Sequence, residues 1–374
     1  MKVDNCKVCT ECVLDETDPD IIFNDQGVCH HCIEAAPRLK KFRLLNNKDF
    51  WPDLVKVANE IKQRAGKNKY DSIVGMSGGV DSSYVCHLAG KLGLNPLVVH
   101  FDNGWNSEVA VSNIKKVLEK NGFDLFTYVI DWPEFKDIQR SFFKASVIDI
   151  EMVTDHAIMA TMVRIAKENK LTYVLNGTNF TNEHGMPKSW LWRKQDLTNL
   201  KDIQKKFGTK KIKSFPTFGT LKYAFGTQLG MGFKNIEFLN MMPYRKDKAM
   251  EELESVYGWQ YYGGKHYEST FTKFYQAYVL PTKFNVDKRK VHLSAQIRNN
   301  EITRDFALQK LKEPLYGTDE LRYDTEYVIK KLGFSETEFE QIMSEQPVQH
   351  LHYKSDEWLI NILRWIKKRI NSEG

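Results

Sequence analysis

The sequence predicts an α/β protein with a doubly wound parallel sheet, a zinc-ribbon segment at its N-terminal end and a helical C-terminal region. Two Cys-x2-Cys pairs stand near the start, short apolar runs alternate with helical patterns after residue 70, and helical patterns continue beyond residue 300. These three observations divide the chain. We expect the ribbon over 1–45, the α/β domain over 46–300 with an insertion at about 189–235, and the helical region over 301–374.

The α/β prediction comes from apolar, β-branched runs that alternate with helical stretches. The runs predict strands over 72–76, 96–101, 126–130 and 171–176, and the stretches between them predict helices over 83–92, 107–120 and 151–169. Strands that are apolar almost throughout are typical of a parallel sheet covered on both faces. Right-handed crossovers bring the carboxyl ends of such strands to one edge, where α/β proteins bind their ligands.

Composition and charge limit the class of protein. The 374 residues include 42% hydrophobic and 27% charged side chains and carry a net charge of +6, which is ordinary for a soluble globular enzyme. The mild positive charge suits an anionic ligand such as a nucleotide without indicating nucleic acid. No apolar run has the length of a membrane span, so we expect a cytoplasmic protein.

Five of the six cysteines fall near the N-terminal end, and their spacing indicates a metal site. Cys9 and Cys12 form one Cys-x2-Cys pair and Cys29 and Cys32 form a second, which is the double-knuckle spacing of structural zinc. A segment this short buries little surface, so the metal would supply much of its folding energy. Two alternatives stay open: a ligand role for Cys6, His30 or His31, and an iron–sulfur cluster in place of zinc.

The first predicted strand continues into the stretch GMSGGVDSS at residues 75–83, which joins it to the next helix. Two adjacent glycines let successive N–H groups point inward, and the helix start adds free N–H groups and a positive dipole end, so this turn predicts a phosphate site. It is neither a Walker A loop nor a GxGxxG loop. Phosphate would repel Asp81 unless Mg2+ lies between them, and a helix N-cap is an equal alternative for this residue.

The stretch SGGVDSS after a strand resembles the PP-loop of the ATP pyrophosphatase superfamily, also called the adenine nucleotide α-hydrolases. Members cleave ATP between its α- and β-phosphates, transfer AMP to a carbonyl oxygen and leave pyrophosphate in the loop. The resemblance implies that Asp81 holds Mg2+. It implies loop contacts at Met76, Ser77, Gly78, Gly79, Asp81, Ser82 and Ser83, and adenine contacts at His100, Phe101, Asp102, Asn176 and Gly177.

Three longer stretches, at 9–32, 98–122 and 263–308, are together similar to the N-acetyl sugar amidotransferases of lipopolysaccharide (O-antigen) and nonulosonic-acid synthesis. The resemblance implies that an acetamido group of a nucleotide-activated sugar becomes an acetamidino group. ATP would adenylate the acetamido oxygen, and ammonia would then displace AMP. The resemblance also implies Mg2+, a structural zinc and a separate glutaminase that supplies the ammonia, with a barrel-type companion subunit as a further partner.

Further site residues follow from the same resemblance and from their positions. The stretch 263–308 also resembles asparagine synthetases, which implies that Lys265, Lys288 and Arg289 bind phosphates or the adenylate; a solvated basic turn is the alternative for the last two. Candidates for binding the substrate, or for taking a proton from ammonia, are Asn103, Trp105, Asp155, His156, Glu183, His184, His266 and Glu268. A structural role is the alternative for the histidines and glutamates, and helix capping is the alternative for Asp155.

Other functions stay open. A PP-loop enzyme that thiolates or otherwise modifies tRNA can also begin with a zinc ribbon, but thiolation needs sulfur-handling cysteines, and Cys86 is the only cysteine beyond Cys32. A synthetase that amidates a carboxylate and a non-catalytic zinc-binding adaptor are further alternatives. The insertion carries five lysines between Lys205 and Lys213, which suits a docking surface or lid as well as a solvated insertion.

Overall fold

The computed structural model describes residues 6–223, 233–264 and 267–372. Its centre is a sheet of parallel strands: β1 Ile73–Gly75, β2 Leu97–Asp102, β3 Leu125–Val129, β4 Tyr173–Leu175 and β5 Lys234–Ile236. The strand order is β3-β2-β1-β4-β5, so the direction of winding reverses between β1 and β4. The predicted doubly wound parallel sheet is therefore confirmed.

Helices connect the strands and continue to the C-terminal end. Those before β4 are α1 His30–Arg43, α2 Trp51–Ala65, α3 Val80–Lys91, α4 Glu108–Asn121, α5 Trp132–Lys144 and α6 Met152–Glu168. Those after β4 are α7 Phe180–Glu183, α8 Leu197–Phe207, α9 Thr220–Tyr223, α10 Lys246–Tyr257, α11 Thr270–Phe274, α12 Leu280–Phe284, α13 Arg289–Arg298, α14 Arg304–Lys312, α15 Thr318–Leu332, α16 Glu336–Ser344 and α17 Glu357–Ser372. A π-helical segment, Tyr275–Val279, joins α11 to α12. Within the described ranges, no helix is both long enough and apolar enough to cross a membrane.

Local signals in the sequence explain where the helices beside the sheet begin and end. The side chain of Ser107 accepts a hydrogen bond from Ala110 N at the start of α4, and Asp131 accepts one from Glu134 N at the start of α5. Gly122 ends α4 in the left-handed conformation, with φ of 69°. These caps fix helix ends that the apolar patterns alone leave uncertain.

The structure also differs from the sequence-based expectations in three elements. Strand β5 reads Lys-Asn-Ile, which is too short and too polar to carry a strand pattern, and α5 fills the gap between β3 and α6. Strand β3 leaves Leu125, Phe126 and Val129 exposed at 45%, 40% and 66%. The expectation that the strands are covered on both faces is therefore wrong for β3, because it lies at the edge of the sheet with β2 as its only neighbour.

Apolar side chains cover both faces of the central strand. On one face, Val74 of β1 belongs to a buried cluster with Leu54 of α2 and Val85 of α3. On the other face, Ile73 belongs to a cluster with Ile165 of α6. Burying one such side chain stabilises the fold by roughly 1.5–3 kcal/mol. This burial fixes β1, and therefore the glycine loop at its carboxyl end, against the rest of the domain.

A third and largest cluster joins the cysteine segment to the helices that follow the sheet. It includes the four paired cysteines together with Phe142 of α5, Phe274 of α11 and Leu332 of α15. The guanidinium group of Arg304 in α14 donates to the carbonyl oxygens of Cys9 and Cys12, both at 3.0 Å. The cysteine segment is therefore packed on the later part of the chain.

Candidate active site

The glycine loop lies between β1 and α3, at the carboxyl edge of the sheet. Gly78 has a φ of +83°, in the left-handed region that favours glycine. A Cβ atom at Gly78 would lie 2.3 Å from the carbonyl oxygen of Ala110 in α4, so α4 packs directly against this turn. Both the backbone angle and the close approach therefore require glycine at this position.

The backbone N–H groups of the loop converge on side-chain hydroxyls. Gly79 N donates to Ser77 Oγ at 3.2 Å, Ser77 N donates to Ser82 Oγ at 3.3 Å, and Val80 N donates to the Tyr262 hydroxyl at 3.3 Å. A phosphate oxygen is a stronger, charge-assisted acceptor than a neutral hydroxyl. The arrangement therefore offers a set of N–H donors at a helix N-terminus that an anion can use in place of these hydroxyls.

Asp81 is the second residue of α3 and does not cap it, because Gly79 stands at the N-cap position. The hydroxyl of Tyr244 donates a hydrogen bond to Asp81 Oδ1. Burial raises the pKa of Tyr244 well above its ordinary value, and the charge of Asp81 adds to that shift. Of the two alternatives for Asp81, the N-cap is therefore wrong, and the Mg2+ ligand stays a prediction.

The chain after β4 lies against this side of the loop. A Cβ atom at Gly177 would lie 3.3 Å from Asp81 C and from Ser82 N. Asn176 accepts hydrogen bonds from both the backbone N and the hydroxyl of Thr178, at 2.9 Å each, which holds the turn after β4. Ser83 is fully buried within α3. Asn176, Gly177 and the start of α3 thus lie close together, and the adenine contacts assigned to Asn176 and Gly177 stay predictions.

A first cavity of about 380 Å3 opens beside the loop, at the carboxyl ends of β1 and β2. Among the predicted site residues, the loop and strand ends contribute Met76, Ser77, His100, Phe101 and Asn103 to its wall, and the rest of the chain contributes Asp155, Glu268 and Lys288. His100 is held in place because its Nδ1 lies 3.0 Å from Met76 O and its Nε2 lies 3.1 Å from Asn106 Nδ2. The fold therefore collects residues predicted from four separate stretches around one space.

One face of α6 forms the long wall of the first cavity. Ile158 and Met162 make its apolar end, where a Cβ atom at Gly75 would lie 3.6 Å from Met162 Sδ. Thr161 is fully buried between them, and its hydroxyl has no hydrogen-bond partner among the described residues. Glu151, one residue before α6, makes the acidic end. The wall therefore changes from apolar to acidic along one helix, and its apolar end suits the flat face of a base.

The charged end of the cavity combines carboxylates with lysines. Glu151 accepts from the Thr272 hydroxyl at 2.6 Å, and Asp155 pairs with Lys194 at 3.0 Å. Lys194 also pairs with the buried Asp149 at 2.6 Å. Burial lowers the pKa of Lys288, and the negative charge of Glu151 partly opposes that shift. Lys288 is thus a desolvated amine beside the cavity, and in its protonated form it suits the binding of phosphate oxygens.

Two predicted substrate residues lie in the core instead of the cavity. Trp105 is 1% exposed and donates from Nε1 to Gln139 Oε1 at 3.0 Å. His156 is fully buried; its Nδ1 lies 2.6 Å from Lys194 O, and its Nε2 accepts from Phe218 N at 3.1 Å. Both nitrogens of this imidazole are therefore engaged with backbone groups. The structure does not bring these two side chains to the site, because packing takes them into the interior.

Two further predicted residues also lie away from the first cavity. Arg289 forms an ion pair with Asp287 at 2.8 Å and donates to the carbonyl oxygens of Lys310 and Glu313, so it ties α13 to the end of α14. Asp102 accepts from Gly104 N and from Asn106 Nδ2, which shapes the turn after β2. Lys265 and His266 lie outside the described residues, as does the 224–232 part of the insertion, and their assignments stay predictions.

Glu183 and His184 line a second cavity of about 520 Å3. It lies at the carboxyl ends of β4 and β5, and α1 forms its outer wall through Glu34 and Arg38. The sequence patterns predicted neither this cavity nor the contribution of α1, because its walls come from distant parts of the chain.

The four paired cysteines form one buried group, as predicted. The sulfur atoms of Cys9, Cys12, Cys29 and Cys32 all lie within 4.8 Å of one another. The closest pairs are 3.7–3.9 Å apart, and a tetrahedron with Zn–S distances of about 2.3 Å has S–S edges of about 3.8 Å. Such spacing fits one zinc ion and is too close for a cluster.

Side chains near the cysteines fit the same interpretation. Cys6 does not belong to the group, His30 Nδ1 accepts from Ile22 N, and His31 Nε2 lies 2.8 Å from Asp18 Oδ2. Arg298 is buried with its Nε 3.3 Å from Cys32 Sγ. A cation at this position offsets the negative charge that four thiolates leave around one zinc ion.

The sheet, the glycine loop after β1 and the cavity beside it form a doubly wound α/β domain with a candidate anion site at the carboxyl edge of its sheet. Residues 268–367 match the family model described as "LPS biosynthesis protein WbpG-like, C-terminal domain". Over that region the chain is similar to this family, which supports the family that the sequence predicted. The match begins at Glu268, which lines the first cavity, and it includes Lys288 and Arg289.

Solved structures similar to this chain include the NH3-dependent NAD synthetase from Campylobacter jejuni, with 16% identity and a TM-score of 0.29, covering 36% of this chain and 59% of that one. The chain thus spans little more than half the length of this protein. NMN synthetase from Francisella tularensis is 14% identical with a TM-score of 0.30, covering 56% of this chain and 92% of that one. No curated protein matches the sequence.

Proposed function

We propose that this protein is an ATP-dependent amidotransferase, a C–N ligase that converts an acetamido group of a nucleotide-activated sugar into an acetamidino group. The observation that carries the proposal is the glycine loop after β1, whose converging N–H groups open beside the first cavity. The WbpG-like C-terminal domain supports a place in lipopolysaccharide synthesis or in the related nonulosonic-acid synthesis.

In this proposal ATP occupies the first cavity. Its base lies against Ile158 and Met162, and its β- and γ-phosphates lie at the loop. The acetamido oxygen attacks the α-phosphorus, the bond to the β-phosphate breaks, and pyrophosphate leaves into the N–H groups of the loop. Mg2+ held by Asp81 would neutralise phosphate charge. The first step thus yields an O-adenylated imidate, which turns a poor leaving oxygen into a good one.

The second step replaces oxygen with nitrogen. Ammonia adds to the imidate carbon, the C–O bond breaks, and AMP leaves with that oxygen, so the product is an amidine. Lys288 stabilises the charge on the departing phosphate, and Glu268 or Glu151 takes the extra proton of the nitrogen. All three of these side chains line the first cavity. We further propose that a separate glutaminase, with a barrel-type companion, delivers the ammonia.

The zinc ion has a structural role in this proposal. The four cysteines offer no open coordination position for a substrate, and the carbonyl oxygens of the first pair are held by Arg304. A tRNA-thiolating activity is the second candidate, and Cys86 disfavours it. This thiol is fully buried, and burial raises its pKa to about 12, so it is not available as a thiolate.

The test is conversion of nucleotide-activated acetamido sugars by the purified protein with ATP, Mg2+ and ammonium. Mass spectrometry should find a product in which NH replaces O, together with equimolar pyrophosphate. Asp81→Asn should lower pyrophosphate release by about 100-fold or more, because the metal site at the loop is lost. Circular dichroism should show that the fold is retained.

Asp319→Asn is the matched control, since the Asp319 side chain is 96% exposed on α15. Its activity should equal that of the wild type. An active Asp81→Asn variant would contradict the metal role, and protein that releases no pyrophosphate with any sugar tested would contradict the proposed function. Thiolated tRNA in place of an amidine would favour the second candidate.

A further inference from the structure

The second cavity is lined by two residues with buried polar atoms for which the described part of the chain offers no hydrogen-bond partner. It lies between α1 and the turns after β4 and β5, and its volume is about 520 Å3. Asn179 and His184 both line it, with exposures of 0% and 8%. Among the described residues, neither Asn179 Nδ2 nor His184 Nε2 has a hydrogen-bond partner. Native proteins rarely leave such groups unpaired without a role for them.

The hydrogen bonds around Asn179 identify its free group as a donor. Asn179 Oδ1 accepts from Asn182 N at 3.0 Å and from the Thr181 hydroxyl at 3.1 Å. A backbone N–H can only donate, so the atom that accepts from it is the amide oxygen. The Nδ2 group is therefore the NH2 end, and it offers N–H donors to a ligand.

The same reasoning identifies the free nitrogen of His184 as an acceptor. His184 Nδ1 lies 2.7 Å from Phe180 O, and because a carbonyl can only accept, Nδ1 carries the proton. Burial lowers the pKa of His184 to about 4, so the ring is neutral near pH 7. Its Nε2 then carries a lone pair. One buried donor and one buried acceptor therefore belong to residues that line the same cavity.

We infer that the second cavity binds a neutral amide group. Such a group carries one carbonyl oxygen and one N–H, which complement Asn179 Nδ2 and His184 Nε2. Glu34, Glu183 and Glu237 also line the cavity and disfavour a carboxylate or phosphate in that position, while they can accept from sugar hydroxyls. Arg38 is the one guanidinium among the lining residues, and it lies 4.0 Å from the centre of the Phe180 ring.

Two parts of a nucleotide sugar have this chemistry. One is an acetamido group of the sugar other than the group that reacts at the first cavity, and the other is the imide edge of a pyrimidine base. The identification of the ligand as a nucleotide sugar rests on the proposed function. The amide chemistry of the cavity rests only on Asn179 and His184. Because Glu34 and Arg38 belong to α1, which begins within the cysteine segment, that segment would form part of the sugar-binding wall.

The test is calorimetric titration of the metal-loaded, full-length protein, without ATP, with four probes: UDP-N-acetylglucosamine, N-acetylglucosamine, UDP-glucose and uridine. Asn179→Asp keeps the oxygen that accepts from Asn182 N and removes the donor. His184→Asn keeps a donor toward Phe180 O and removes the acceptor. Each variant should weaken binding of the amide-bearing probe about tenfold or more, since a buried hydrogen bond is lost. Asn46→Asp and His352→Asn, at exposed positions, make the same substitutions as controls.

The pattern across the probes decides the source of the amide. If only UDP-N-acetylglucosamine and N-acetylglucosamine weaken, the cavity holds the acetamido group. If UDP-N-acetylglucosamine, UDP-glucose and uridine bind more weakly and N-acetylglucosamine does not, the cavity holds the base. The inference is overturned if both folded variants bind every probe like the wild type, or if the wild type binds none. Because these titrations need no ATP, their failure leaves the pyrophosphate assay of the proposed function to be judged separately.

Discussion

The two cavities at the carboxyl edge of the sheet are built in different ways. The first takes its wall largely from contiguous stretches: the loop after β1, the end of β2 and one face of α6. The second is assembled from α1 and from the turns after β4 and β5. Each wall includes three carboxylates and one lysine or arginine, but the first cavity also lies beside the N–H groups of the glycine loop, which suit phosphates. A site that is built around a local motif can be predicted from the sequence, whereas a site that is built from distant turns cannot.

Removal of the metal should have the largest effect and should separate the two cavities. Cys32 belongs both to the cysteine group and to α1, so it links the predicted metal site to the wall of the second cavity. Cys32→Ser or chelation should therefore lower the free energy of unfolding by several kcal/mol. Binding of UDP-N-acetylglucosamine at the second cavity should be lost before binding of ATP at the first. Urea unfolding and titration of both ligands on one sample measure this. Cys86→Ser is the control, and loss of ATP binding first would contradict the comparison.

Gly78→Ala should affect the first cavity alone. The added methyl group would meet the Ala110 carbonyl oxygen at 2.3 Å, and φ of +83° adds strain, so we expect a loss of about 1–3 kcal/mol in stability and a large loss of pyrophosphate release. Gly122→Ala is the matched control, because Gly122 also has positive φ, at 69°, but nothing lies within 4 Å of its Cβ position. Weaker binding of the sugar probes to the Gly78→Ala variant would contradict the prediction that the two cavities bind their ligands independently.

The third prediction concerns the pH dependence of the free energy of unfolding and involves the second cavity. Burial lowers the pKa of His184 from 6.5 to about 4, so the unfolded chain binds this proton more readily than the folded one. The contribution to stability is full above pH 6.5 and is lost as pH falls toward 4. It amounts to about 3 kcal/mol, and His184→Asn should flatten the curve of unfolding free energy against pH by that amount.

His350 provides the matched control for this measurement. Burial also lowers its pKa to about 4, so His350→Asn should flatten the curve of unfolding free energy against pH to a similar extent. It should leave sugar binding unchanged, because His350 contacts Asn199 and not the second cavity. A His184→Asn curve that keeps the wild-type slope between pH 6.5 and 4 would contradict the neutral, buried imidazole.

The sequence predicted those features whose chemistry is local. The spacing of the cysteines predicts four metal ligands because each pair lies on one turn. The glycine loop can be recognised in the sequence because Gly78 needs both a positive φ and the absence of a side chain. The start of α5 had a usable signal too, since Asp131 caps it and Pro133 follows in the first turn. Strand β5 had none, because its three residues pair with β4 only through tertiary structure.

The remaining site residues depend on packing that no local pattern encodes. Trp105 and His156 have the residue types of a site but lie in the interior, where Gln139 and backbone groups satisfy them. Glu151 and Thr161 were not predicted, although they share with Asp155 the helical face that lines the first cavity. Spacing along α6 could have identified them once Asp155 was placed.

The hydroxyl of Tyr262 would compete with a phosphate for one N–H group of the glycine loop. It accepts from Val80 N, one of the N–H groups that a phosphate would use, so any phosphate must first displace this tyrosine. That exchange lowers the net affinity of the loop for anions without altering its shape. In a ligase of the proposed kind, weak binding of pyrophosphate would speed product release. Each turnover would end when pyrophosphate dissociates and the Tyr262 hydroxyl again accepts from Val80 N.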